Sequence, residues 1–171
     1  MELVSLKQLF QRLSNGGRLL GLDVGSRNIG LAVSDPKCRV ASPHSVMYRS
    51  NTTTLKNISR LESLVEEMNI KGLVIGYPLE LTGFQGKQGA QVKLFAKELQ
   101  LSGRFPDLAY VYWDERLTSV AVTNVIGSMD ITGRRRKNII DKMSALCILQ
   151  GCLDSLSRLE NGTHGFASQQ L

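Results

Sequence analysis

The sequence predicts an α/β fold: a mixed five-stranded sheet, three antiparallel strands followed by parallel ones, flanked by helices. Three observations lead there. The strand-like runs "RLLGLDVG" and "IGLAVSD" are joined only by Ser26-Arg27-Asn28, too short for a parallel crossover, so they form an antiparallel hairpin. Beyond the third strand, helical and strand-like patterns alternate. Finally, "KGLVIGYP" is the continuous apolar run of a strand buried on both faces, stopped by Pro78.

Each element has its own signal. In residues 1–17, Leu3, Leu6, Leu9, Phe10 and Leu13 fall at helical spacing before Asn15-Gly16-Gly17, which predicts an N-terminal amphipathic helix. The hairpin follows, with a third strand at about residues 40–48. Leu55, Ile58, Leu61, Leu64, Val65 and Met68 then mark a helix after a Ser and Thr cluster suited to capping. After "KGLVIGYP" come a Gly-rich loop, a helix at about residues 87–101, the strand "LAYVYWDE" and the helix "RLTSVAVTNVIG". The loop "SMDITGRRRK" leads to a final helix from about Asn138 to Leu159. The expected organisation is a helix over 1–17, one domain over 18–159 and a flexible polar tail over 160–171.

Composition narrows the function classes. A chain of 171 residues with 42% hydrophobic content suits a single core. No stretch approaches the roughly 18 apolar residues of a membrane span, and the first thirty residues lack a secretory pattern. The expectation is a soluble protein with no membrane partner, cytoplasmic, or in a plastid or mitochondrion if the source is eukaryotic. Cys38, Cys147 and Cys152 suit small core residues rather than a disulfide framework, and neither they nor His44 and His164 have zinc-site spacing. Against 15 acidic residues, 21 Lys and Arg give a net charge of +6, which favours a polyanionic partner.

Three acidic positions stand out. Asp23 lies inside an apolar strand, where a carboxylate is costly to desolvate unless paired, hydrogen-bonded or bound to metal. Asp114 and Glu115 stand at the carboxyl end of a later strand, and alternation sends neighbouring residues to opposite faces, so at most one shares a site with Asp23. Arg116 could pair with either. Asp141 shares a helix face with Ser144, Ala145, Ile148 and Cys152, small or apolar residues that permit close packing. One carboxylate on each of three such segments suits magnesium or manganese, hard ions that prefer oxygen ligands. Two such ions roughly 3.5 to 4 Å apart can activate water and stabilise the leaving oxygen of a phosphodiester. The run "GRRRK" sets Arg134, Arg135, Arg136 and Lys137 just before Asp141, where four cations suit a phosphate backbone. Gly25 and Gly30 match neither standard phosphate loop and are assigned to the hairpin.

The blocks "GLDVGSRNIGLAVSD", "LVIGYPLELTGFQG", "WDERLTS" and "RRRKNIIDKMSALCILQ" resemble, in order and spacing, the four motif blocks of the YqgF/RuvX family. That family comprises Holliday junction resolvase-like and pre-16S rRNA processing nucleases of the RNase H-like superfamily, and the resemblance spans about residues 18–156. It implies that Asp23, Glu115 and Asp141 bind Mg2+ or Mn2+ and are the catalytic acids, choosing Glu115 where parity left two candidates. Ser144 stands where the family usually has a second Ala beside Ala145. The family-like loop "YPLELTGFQGKQG" offers Gln85, Lys87 and Gln88 as candidate contacts to the substrate backbone, and Arg116 with residues 134–137 completes the expected nucleic-acid-binding set. The implied activity is metal-dependent hydrolysis of structured nucleic acid by a monomer or homodimer. Processing of the 5′ end of pre-16S-type rRNA leads, ahead of branched DNA junctions and of a non-catalytic ribosome-assembly role.

Overall fold

The computed structural model describes residues 1–13, 16–49, 54–78, 86–114 and 133–160. In chain order its elements are β1 (Glu2–Leu3), α1 (Leu6–Leu13), β2 (Arg18–Val24), β3 (Asn28–Ser34), β4 (Ala41–Tyr48), α2 (Thr54–Glu67), β5 (Ile70–Tyr77), α3 (Lys87–Leu101), β6 (Ala109–Asp114) and α4 (Gly133–Glu160). The sheet runs β1-β6-β5-β2-β3-β4. Strands β1, β6, β5 and β2 are mutually parallel, while β3 and β4 are antiparallel additions on the other side of β2. The expected helix "RLTSVAVTNVIG" lies outside the described residues.

Among the described residues the sheet has six strands rather than five. Glu2 and Leu3 pair with Ala109 and Tyr110, and the Glu2 and Val4 amides donate to the Leu108 and Tyr110 carbonyls at 3.0 Å. The N-terminal helix is accordingly confined to Leu6–Leu13. A two-residue strand shows no periodicity, so only its backbone pairing reveals it. Among the described residues no helix is long and apolar enough to cross a membrane.

Alternation divides the sheet into two faces. Leu20, Leu22, Ile29, Leu31, Leu73 and Ile75 join α2 and α3 in one core cluster. Leu19, Ala32, Val74, Val111 and Trp113 join α1 and α4 in the other, where Leu9, Leu149 and Cys152 are fully buried. Gly21, Asp23, Asn28 and Gly30 share the parity of this second face.

The final helix begins at Gly133, not near Asn138. Arg and Lys have helix propensities close to that of Ala, so the basic run extends the helix although its charges oppose the dipole. Asn138 therefore lies inside the helix rather than at its start, and Asp141 lies beyond the first turn. Instead, the Asn138 amide donates to the Tyr48 hydroxyl at 3.0 Å.

The close approach of α4 to the sheet depends on missing side chains. A Cβ on Gly21 would stand 2.8 Å from the Ala145 carbonyl oxygen, and one on Gly30 would overlap the Asp141 carbonyl. Gly30 thus serves the helix rather than the hairpin. Gly25 belongs to the turn, where its amide donates to the Asn28 carbonyl at 2.9 Å.

Candidate active site

Strands β2, β5 and β6 end at one edge of the sheet, the edge where open α/β sheets gather functional groups. Asp23 is the penultimate residue of β2, directly across from Gly30 of β3. Because Gly30 has no side chain, α4 crosses it at Asp141. Two acids far apart in sequence are thereby brought to one point on the same face.

Asp141 is 7% exposed, and both of its oxygens are engaged. Asn28 Nδ2 donates to Oδ2 at 2.6 Å, and Lys137 Nζ, one helical turn earlier, lies 3.2 Å from Oδ1. Half-buried Asp23 has its pKa raised to about 6: burial contributes most, the neighbouring Asp141 charge adds to it, and the Lys137 ammonium and Ser144 hydroxyl pull it back. A carboxyl that binds its proton more tightly folded than unfolded stabilises the fold at low pH, and this contribution is lost as pH rises through the folded value. Without divalent ions, the melting temperature of the wild type should therefore carry a falling component between about pH 4 and about pH 6 that Asp23→Asn lacks. Thermal denaturation across that window checks this; parallel pH profiles would contradict it.

The other expected residues are distributed as follows. Asp114 has the parity of Tyr110 and Tyr112, which pack toward the α2 and α3 face, away from Asp23 and Asp141. Glu115, Arg116 and Gln85 lie outside the described residues. Arg134, Arg135 and Lys137 are exposed on the first turns of α4, and Arg136 is half-buried, its Nε without a hydrogen-bond partner among the described residues. Lys87 and Gln88 are exposed at the start of α3, which covers the opposite face and packs Gly89 against the Tyr77 hydroxyl. Asn28, read in the sequence as a turn residue, is the unforeseen member of the site. Starting β3 one residue earlier would have found it, since Asn28 then shares the parity of Gly30.

Among the described residues no three metal-ligating side chains converge, but two carboxylates do. The pair suits a hard divalent ion in two respects: the donors are oxygens, and their mutual repulsion is what a cation would relieve.

A family model described as "RuvX: Holliday junction resolvase" matches residues 17–155. The chain belongs to the RuvX family. The match runs from the start of β2 nearly to the end of α4, leaving β1 and α1 outside it. A relative from Paramagnetospirillum magneticum, named "Putative pre-16S rRNA nuclease", is 40% identical over 157 residues, covering 92% of this chain and 98% of its own. A relative of the same name from Zymomonas mobilis is 40% identical, with 88% and 89% covered. Among solved structures, the yeast mitochondrial Holliday junction resolvase superposes with a TM-score of 0.53 at 9% identity, covering 91% of this chain and 86% of its own. The RuvC protein of T. thermophilus, in complex with a Holliday junction substrate, gives 0.51 at 9% identity, with 82% and 96% covered. The RuvX chain is thus a nuclease with an RNase H-like fold, and its substrate is nucleic acid.

Proposed function

We propose that this RuvX nuclease is a divalent-metal-dependent endonuclease that trims structured RNA at the 5′ end of a small-subunit rRNA precursor, with Asp23, Glu115 and Asp141 as its acids. The observation that carries this reading is the meeting of Asp23 and Asp141 at the carboxyl edge of the sheet, next to the basic start of α4. Glu115 is the third acid in this reading because the block "WDERLTS" resembles the family's motif at that position, while Asp114 has the parity of the opposite face.

A magnesium or manganese ion held by these acids would polarise the phosphodiester and lower the pKa of the attacking water. The protein's own residues position and neutralise. Strand β2 holds the Asp23 carboxylate on a rigid base, Asn28 orients Asp141, and Arg134 and Arg135 on α4 draw in the phosphate backbone. Arg116, Arg136, Lys137 and Lys87 extend the basic surface in this reading.

The choice of RNA rests on the names of relatives about 40% identical over most of the chain. The family description favours a second reading, the same chemistry on four-way DNA junctions. Purified protein with Mg2+ or Mn2+, offered a 5′-extended small-subunit rRNA precursor and a four-way junction, should cut the RNA and spare the junction. Junction cutting with the precursor intact would reverse the choice. Tight RNA binding without cleavage of either substrate would point instead to a ribosome-assembly factor.

A further inference from the structure

We propose that Lys137 is the resident counter-cation of the acid pair, an internal competitor whose ammonium occupies the Asp141 oxygen that a divalent ion takes and so sets the affinity of the site for metal. This inference rests on the reading of Asp23 and Asp141 as metal ligands.

The two oxygens of Asp141 have partners of unequal mobility. Oδ2 receives the Asn28 amide at 2.6 Å. Asn28 is half-buried and held by its backbone, which accepts from Gly25 and pairs with Tyr48 of β4. That donor sits on a short side chain, two rotatable bonds from a backbone fixed in the hairpin. Oδ1 receives Lys137 at 3.2 Å, from a side chain 62% exposed against 10% for Asp141. A flexible four-carbon stem can carry this ammonium into solvent and leave Oδ1 open.

The pairing is poorly explained as a device for stabilising the helix. Lys precedes Asp by four residues, the weaker of the two orientations, and it stands near the helix N-terminus, where the dipole disfavours a cation. The position makes sense as charge compensation for the site. The same ammonium also acts on Asp23, so one positive charge serves two carboxylates and leaves a net deficit that a divalent ion would fill. Metal and Lys137 therefore compete for one place.

Manganese binding by the full chain without nucleic acid, followed as loss of the free-ion electron paramagnetic resonance signal, tests this directly. Lys137→Gln should tighten the dissociation constant about fivefold, the equilibrium equivalent of releasing an exposed ion pair. Lys137→Arg, which keeps the charge, should stay close to wild type. If wild type binds Mn2+ and Asp23→Asn abolishes binding, but Lys137→Gln binds no more tightly than wild type, the competitor role is wrong and the metal reading stands. If wild type binds no Mn2+, both fall. Because Lys137 is exposed, circular dichroism of Lys137→Gln should show an unchanged fold.

Discussion

Asp141→Asn should lower metal-dependent cleavage by about a thousandfold or more while leaving the chain folded. A bound metal contributes several kcal/mol to stabilising the charge that develops on the phosphodiester, and each 1.36 kcal/mol is a factor of ten in rate. In the proposed site an amide would remove the charge that holds the ion without changing the size of the side chain. Locally it also creates a mismatch: Asn28 and Lys137 both present donors, and an amide offers only one acceptor. The lost hydrogen bond is offset by relief of the repulsion on Asp23, whose pKa should move back toward the ordinary carboxylate range. Asp23→Asn should have a similar kinetic effect. The double variant should be little worse than either single one, because groups that hold one ion fail as a unit. Single-turnover cleavage, with denaturation curves for each variant, measures both effects. Unchanged cleavage by either single variant would refute the metal assignment.

Gly30→Ala should destabilise the fold by about 3 kcal/mol, the upper end of ordinary overpacking. The atom in the way is the Asp141 carbonyl oxygen, part of the backbone of α4, which cannot rotate aside as a side chain would. Either the helix lifts from β3 or the hairpin bends. For a chain of this size the loss corresponds to a melting temperature lower by about 6 to 12 °C. Lifting the helix also separates Asp141 from Asp23, so manganese affinity should fall with stability even though the acids are unchanged. Thermal denaturation and manganese titration of Gly30→Ala check the two consequences. A variant as stable as wild type would show that the helix does not need the bare backbone of Gly30.

The elements easiest to read in the sequence carried strong local periodicity. The hairpin follows from the short link between two apolar runs, and α3 occupies Lys87–Leu101, where its pattern placed it. The four family-like blocks pointed to a RuvX protein, and the family model agrees over residues 17–155. The elements with weak or conflicting local signals are the ones that depart from expectation. Strand β1 is too short for a pattern and depends on backbone pairing with β6. The start of α4 was hidden because a run of four cations resembles a solvated loop, although those residues are good helix formers.

The sequence by itself determined the order of the described strands and helices from β2 onward, the acids worth considering and the basic run beside Asp141. These are properties of composition and of spacing along a few turns or a single strand. Only the tertiary structure decided that Asp23 and Asp141 share a face, that Asp114 has the parity of the other, and that Asn28 and Lys137 divide the two Asp141 oxygens. It also moved Gly30 from the turn to the seat of α4. The reason is physical: alternation specifies which residues of one strand lie together, but not which helix will cover them or at what height. That choice is made where backbones can approach most closely, and here a glycine across from Asp23 lets a distant helix bring its own carboxylate alongside.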